Sequence, residues 1–444
     1  MPRGANMGRI VVKFGGSSLA DADQFKKVRD IILSDPERDL AVVSAPGKRH
    51  DRDFKVTDML YQIHTLREAG LDYRPQMNQI IERFVDIKHG LHLHIHIETH
   101  LNDIMTRISA GASIDYIASR GEYLSGLLMA DYLEWDLIDP AGYILFHENG
   151  RFNADATQQV FSEKLRNVSH AVIPGFYGSM PDGQIRTFSR GGSDITGAIA
   201  ACAAYADMYE NWTDVSGFLM ADPRIVNNPC EIESITYREL RELSYSGATV
   251  LHEDSVFPVH RAGIPTNIRN TNHPDHPGSF ISYNASNSPP RFTITGIAGK
   301  KGFSVISIEK AMMNAELGFG RRVLEAVEKE GISFEHLPTG IDTMCIVVAS
   351  DALEGKREKV TANIIAMAEP DTITIHDHMP IIATVGRGMV RAHGTAARLF
   401  HAMSREGINV RMIDQGSSEI SIIVGVDESD FNQTIRAIYD EFVK

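Results

Sequence analysis

Cysteine is scarce in this chain: Cys202, Cys230 and Cys345 are the only three in 444 residues. They are odd in number, widely scattered and without metal-ligand spacing, which argues for a reducing compartment. No apolar run approaches the ~20 residues that a membrane helix needs, so no membrane partner is expected. The opening MPRGANMGR is charged but has no apolar stretch behind it. It is expected to be a short lead-in and not a signal peptide, with Met7 as an alternative start. Positive charge is also in deficit. The formal net charge is −14, and phosphate backbones demand a basic stripe, so nucleic acid is set aside as a partner. What remains is the composition of a soluble, cytoplasmic globular protein, 43% hydrophobic and 23% charged. A chain of this length buries a large core without disulfides or structural metal, and divides naturally into two or three domains.

The segment IVVKF (10–14) reads as a short buried strand ending at Gly15-Gly16. Ser17 to Asp23 supply helix-start signals, and Phe25, Val28 and Ile32 form an apolar stripe at helical spacing. Asp39 to Ala45 reads as a second buried strand, closed by Pro46-Gly47. Strand, glycine loop, helix, strand predicts an α/β fold with a mostly parallel sheet, whose ligands gather at the carboxyl ends of the strands. Residues 58–134 are expected to be largely helical, with strands near Asp136, over 171–176 and over 208–215. The Pro-, Asn-, Ser- and His-rich segment His273–Pro290 is read as the approach to a domain boundary.

Beyond residue 291 one unit occurs twice. KEGISFEHLPTGIDTMCIVV (329–348) and REGINVRMIDQGSSEISIIV (405–424) align without gaps, pairing Gly331 with Gly407 and Gly340 with Gly416. Amphipathic helices are expected before each stretch (321–330 and 395–406) and after each (356–368 and 429–443). Two small β-α-β-β-α units are the economical reading.

Three constellations carry chemistry. In Lys13-Phe14-Gly15-Gly16-Ser17-Ser18, a lysine at a strand end is rigidly placed, and the two glycines let backbone N–H groups approach an anion. The combination suits polyphosphate, and it is not a Walker loop. In Ser189-Arg190-Gly191-Gly192-Ser193-Asp194, arginine offers a fork for carboxylate, and the helix that follows aims its positive end at an anion. Asp194 is placed to fix Lys13 or to meet metal. The third, Trp212-Thr213-Asp214-Val215 followed by Ala221-Asp222-Pro223-Arg224, suits ribose and phosphate contacts.

Taken in order, VVKFGGSS, Ser44-Ala45, Arg120-Gly121-Glu122, SRGGSD, WTDV, ADPRIV, SGATVLH and IPTNIRNT resemble the aspartate kinases of the amino acid kinase superfamily, over nearly the whole chain. The resemblance implies a three-layer α/β/α sandwich with a mainly parallel eight-stranded sheet over 1–290. Two ferredoxin-like ACT units follow, at 291–376 and 377–444, with a strand near 292–298 contributed to the second. It implies transfer of the γ-phosphoryl group of ATP, carried with Mg²⁺ on its phosphates, to the β-carboxylate of L-aspartate. Lys13 and Asp194 are then catalytic. Ser44, Thr57, Glu122, Arg190, Gly191, Gly192 and Ser193 contact aspartate. Lys13, Phe14, Gly15, Gly16, Thr213, Asp214, Leu219, Arg224, Thr249 and Val250 contact ATP. No protein ligand binds metal directly. Leu219 stands where the family often has tyrosine, Thr249 where many members have lysine, and Glu253 where proline is common.

The family's effector position falls on Met313, Asn314, Glu316, Leu317 and Gly318, facing Thr339, Gly340 and Asp342. Lysine or threonine is the expected effector, and ACT pairing implies a homodimer or a tetramer. His92, His94, His96 and His100 are expected on a helical stretch, as a solvated or packed face and not a metal site. The KR and RR pairs are too short to mark a partner surface. Two other readings stay open: another amino acid kinase, and a non-catalytic amino-acid sensor on a kinase-like fold.

Overall fold

The computed structural model describes residues 8–189, 191–248, 257–283 and 290–444, so the expectations for Arg190, Thr249, Val250 and Glu253 lie outside the described residues. Two compact units are present. The first holds residues 8–218, 233–237 and the described part of 250–285; the second holds 219–232 and the described parts of 238–249 and 286–444. Among the described residues no helix is long and apolar enough to cross a membrane.

In the first unit β1 (Ile10–Phe14) leads to α1 (Ala22–Leu33) and β2 (Arg38–Val43). The helix starts where it does because Asp21 caps it, accepting from Gln24 N at 3.0 Å. Four helices follow: α2 (Val56–Glu68), α3 (Arg74–Gly90), α4 (Ile97–Ser109) and α5 (Ile114–Leu133), the last capped by Ser113. Then come β3 (Asp136–Leu137), α6 (Ala154–Arg166), β4 (Ala171–Pro174), the hairpin β5 (Tyr177–Ser179) and β6 (Ile185–Thr187), α7 (Gly192–Ala203) and β7 (Met208–Thr213). The short strands β8 (Phe218–Leu219) and β9 (Glu231–Ile232) pair with each other. They precede β10 (Ser234–Thr236), α8 (Tyr237–Tyr245), α9 (Phe257–Ala262), β11 (Thr266–Asn270) and β12 (Ser279–Ser282).

The main sheet has eight strands in the order β10-β12-β11-β7-β1-β2-β4-β3. All neighbours are parallel except β11 and β12. Val12, Phe14, Ala41 and Val43 join one apolar core with residues of α1 to α5. The alternation of strand side chains turns Val11 and Lys13 to the opposite face, where α7 packs.

One local expectation needs correction, and another, the boundary segment 273–290 where the two units change over, gains a strand. Residues 91–96 are not helical: α3 ends at Gly90, α4 begins at Ile97, and His92 has a left-handed φ of 55°. Leu91 and Ile97 are buried while His92, His94 and His96 are exposed. LHLHIHI alternates with the period of extended chain, and that period describes the segment better than its helical neighbours do. Only His100 sits on α4, with its Nδ1 3.3 Å from the Tyr123 hydroxyl. In the segment read as a boundary approach, Ser279–Ser282 forms β12 of the main sheet, its short SFIS run masked by turn residues.

In the second unit β13 (Gly296–Lys300) precedes β14 (Phe303–Glu309), α10 (Phe319–Glu328), β15 (Phe334–His336), β16 (Thr343–Ala349), α11 (Ser350–Leu353), α12 (Arg357–Ala368) and β17 (Thr372–His376). The chain continues through β18 (Ile381–Val385), α13 (Thr395–Arg405), β19 (Met412–Asp414), β20 (Ser421–Gly425) and α14 (Phe431–Val443). Two antiparallel sheets result, β15-β16-β14-β17 and β13-β18-β20-β19. Beside β18, β13 fills the place that β17 fills beside β14. The aligned Gly331 and Gly407 share a left-handed φ, 66° and 70°, just past α10 and α13.

Candidate active site

Strand register brings the first two glycine motifs together. Lys13 lies opposite Asn211 on the neighbouring β7, so both side chains leave the same face of the sheet. Asp194, in the first turn of α7, reaches back to that face. Its Oδ1 lies 2.5 Å from Lys13 Nζ and accepts from Asn211 Nδ2 at 2.9 Å. The Tyr209 hydroxyl donates to the Asp194 carbonyl at 3.1 Å, which holds the helix start against β7. Lys13 is only 6% exposed, and a buried ammonium of this kind needs its carboxylate partner.

Around this pair opens a cavity of about 740 Å³ at the carboxyl ends of β1, β2 and β7. Lys13, Gly15, Gly16, Ser44, Thr57, Glu122, Gly191, Gly192, Ser193, Asp194, Thr213 and Asp214 all line it. Its floor is made of backbone. A Cβ on Gly47 would stand 2.6 Å from the Gly16 carbonyl carbon, so the loops after β1 and β2 touch only because both residues lack side chains. Gly47 N donates to Gly16 O at 2.7 Å. Behind the loops, the buried Arg83 of α3 donates from Nη1 to Gly47 O at 2.9 Å and to Ala20 O at 3.3 Å, and from Nη2 to Asp53 at 2.6 Å.

Glu122 comes from α5, which approaches the end of β2 closely: a Cβ on Gly121 would lie 2.6 Å from that of Ala45. Its carboxyl is 4% exposed, and Oε2 has no hydrogen-bond partner among the described residues. Burial pushes its pKa up to about 8, against the opposing pull of backbone donors, Arg120 and Lys13. A buried carboxyl on the cavity lining, with one oxygen unused among the described residues, is suited to receive a ligand's ammonium group.

Other expected residues take different places. The Phe14 ring is buried and stacks on Trp212 with centroids 6.0 Å apart, and Phe14 is not among the residues that line the cavity. Thr213 Oγ1 donates to Asp214 Oδ1 at 3.1 Å on the cavity wall. Leu219 and Arg224 belong to the second unit. There Leu219 lines a shallow hollow with Pro223 and Asn227, and the exposed Arg224 pairs with Asp222 at 2.6 Å. The loop after Gly47 was not singled out, yet Lys48, Arg49, His50 and Lys55 line the cavity. The KR pair set aside in the sequence is therefore part of its rim. A run of charge directly after a strand-end Pro-Gly was the available signal.

In the first of the paired sheets the expected effector loops do meet. Met312 N donates to Asp342 Oδ1 at 2.9 Å and Asn314 N to Ile341 O at 3.1 Å. Glu316 pairs with Lys310 at 2.7 Å and with Arg322. Met313 is buried, Leu317 is 97% exposed, and Gly318 begins α10 with φ 79°. Gly340 N donates to Thr343 O at 2.7 Å, and Thr339 bridges to Met344.

Comparison with known proteins agrees with this geometry. Residues 8–270 match the amino acid kinase family, and 382–442 match an ACT domain. Aspartokinase 3 of Bacillus subtilis is 38% identical over 447 residues, spanning 97% of this chain and 98% of that protein. The crystal structure of aspartate kinase from Clostridium acetobutylicum superposes with a TM-score of 0.89 at 49% identity, over 98% of this chain and 100% of that one. E. coli aspartokinase III in complex with aspartate and ADP shares the fold, with a TM-score of 0.75 at 24% identity over 98% and 99% of the two chains.

Proposed function

The chain belongs to the aspartokinase family, and from that premise we propose how its own residues carry out the ATP-dependent phosphorylation of aspartate. The observation that carries the reading is the convergence of Lys13, Asp194 and Glu122 on one cavity floored by glycine backbone. An oxygen of the β-carboxylate attacks the γ-phosphorus, the bond to the bridging oxygen breaks, and ADP leaves with 4-phospho-L-aspartate as product. The attacking carboxylate is already ionised at neutral pH, so no general base is required. The task is to hold two anions together while charge spreads over the transferred group. Lys13 supplies fixed positive charge there, and Asp194 and Asn211 orient it. Glu122 holds the ammonium of aspartate, while Ser44, Thr57 and residues 190–193 hold its carboxylates. Thr213 and Asp214 serve the nucleotide, with Leu219, Arg224, Thr249 and Val250 assigned to it by resemblance alone. Lys48 and Lys55 are further cations for its phosphates.

The residues present fit a magnesium–nucleotide: Asp194 and Asp214 offer oxygen donors, the kind Mg²⁺ takes, beside backbone amides suited to phosphate. When bound, the ion neutralises phosphate charge, and we assign it to the phosphates and not to a protein cage.

We further assign residues 1–290 to catalysis and 291–376 and 377–444 to two ACT units, with β13 serving the second. The loops at 312–318 and 339–342 are the proposed effector site, for lysine or threonine. The chain is proposed to work in the cytoplasm as a homodimer through its ACT units, or as a tetramer. Trapping aspartyl phosphate with hydroxylamine tests the reading. ATP-dependent hydroxamate should form with aspartate and fall when lysine or threonine is added. Absence of hydroxamate would refute the role of the cavity, and indifference to both amino acids would refute the effector assignment alone.

A further inference from the structure

Arg120 and Glu122 stand two residues apart on α5, about 200° around the helix, and so face different ways. Glu122 lines the catalytic cavity, whereas Arg120 lines a second hollow of about 640 Å³ in the same unit, beside α4 and β6. Arg120 is 6% exposed. Its Nε and Nη2 donate to Ser119 Oγ at 3.1 and 2.8 Å, and Nε also to Tyr116 O at 3.2 Å. Its guanidinium carbon lies 4.5, 4.7 and 5.1 Å from the ring centroids of Tyr116, Tyr123 and Tyr177. Aromatic faces offset part of the cost of burying this charge. They do not neutralise it, and no carboxylate of the described residues pairs with Arg120.

The other guanidinium of the hollow, Arg107, is already taken by Asp103 at 3.0 Å. Asp139 lines the same hollow and accepts from Ala141 N at 3.0 Å, but no described cation pairs with it. Burial raises the pKa of Tyr177 well above its usual value, with Arg120 opposing and Asp139 adding to the rise, so both charges act on one ring. A cation and a carboxylate, neither paired with an opposite charge among the described residues, therefore share this hollow. A simple anion would be repelled by Asp139, and a simple amine by Arg120. A zwitterion satisfies both.

We propose that this hollow binds a free α-amino acid in addition to the aspartate of the catalytic cavity, its carboxylate on Arg120, its ammonium toward Asp139 and its side chain against Tyr116 and Tyr123. The test is calorimetric titration of the full chain with each proteinogenic amino acid in turn, under saturating L-aspartate so that the catalytic cavity is filled. At least one should bind. Its methyl ester and its des-amino acid should each bind about tenfold or more weakly, the loss expected when one charged contact is removed. Asp139→Asn should weaken the amino acid to a similar degree. Because Arg120 is buried and its replacement can disturb α5, the exposed Asp139 and the two ligand analogues carry the test, with Arg120→Lys as a supplement. The proposal is overturned if no amino acid binds under aspartate saturation, if Asp139→Asn binds it as tightly as the parent chain, or if the ester or des-amino acid binds undiminished.

Discussion

Lys13 Nζ lies 2.5 Å from Asp194 Oδ1, the oxygen that also accepts from Asn211. The lysine is thus aimed before any ligand arrives, which is what electrostatic preorganisation requires. Asp194→Asn keeps the shape but removes the charge that orients the ammonium. Turnover should fall by about 10²-fold, the scale of one misplaced oriented donor, while the KM for aspartate changes little. A double variant with Lys13→Ala should be hardly slower than Lys13→Ala alone, since the two groups act as one unit. Additive losses would separate them.

Glu122 makes aspartate binding a proton-coupled event. Its pKa, held near 8 by burial, leaves it largely protonated at pH 7, and an incoming ammonium favours the anion. Close to one proton should be released per aspartate bound at pH 7, seen calorimetrically as a dependence of the heat on buffer ionisation enthalpy. The KM for aspartate should fall as pH rises toward 8. For stability the sign is opposite. The folded chain holds a proton that the unfolded chain loses above its ordinary value of 4.5, so Glu122 costs stability progressively from there to about 8, and most above it. Glu122→Gln should abolish proton release, weaken aspartate, and raise the Tm more at pH 8.5 than at pH 5.

The contact of Gly47 with Gly16 makes a single methyl group harmful. Gly47→Ala puts a Cβ 2.6 Å from a backbone carbon that cannot yield as a flexible side chain would. A loss of about 1–3 kcal/mol in stability is expected from such overpacking, together with weaker binding of both substrates. Denaturant unfolding and substrate titrations would check this, and a variant with normal KM values would show that the loops need not touch.

Arg83 acts from outside the cavity as a positioning residue. Arg83→Met strips donors from Gly47 O, Ala20 O and Asp53. Asp53 keeps Arg49 at 2.9 Å, so the loss is that of the backbone carbonyls left without their donor, about 1–3 kcal/mol. At temperatures where the variant remains folded, KM should rise more than kcat falls. A kcat loss at unchanged KM would instead place Arg83 in the chemistry.

Much of this was readable from residues alone. Lys13 and its glycines announced themselves because strand, cation and Gly-Gly are contiguous, and the repeat was visible because Gly331 and Gly407 need the same left-handed turn. Contacts made across the chain were not readable. Nothing local tells that Asn211 completes the Lys13–Asp194 pair, because that depends on the register of β1 and β7. Lys48 and Lys55 escaped notice because charged loops are commonplace, and only the fold decides which of them rims a cavity. The histidine run misled for a different reason: an alternating segment between two helices was read with its neighbours' period. The aromatic cage around Arg120 joins α5 to the β5–β6 hairpin and has no signature in one stretch of sequence.

The account depends most on the buried ammonium at position 13 acting on the phosphoryl group in flight. Single-turnover transfer from ATP to aspartate, measured beside equilibrium aspartate binding in Lys13→Ala, tests it directly. The expected result is a rate of transfer lowered by about 10²-fold or more with aspartate affinity within a few-fold of the parent chain. Transfer at nearly the parental rate would contradict it.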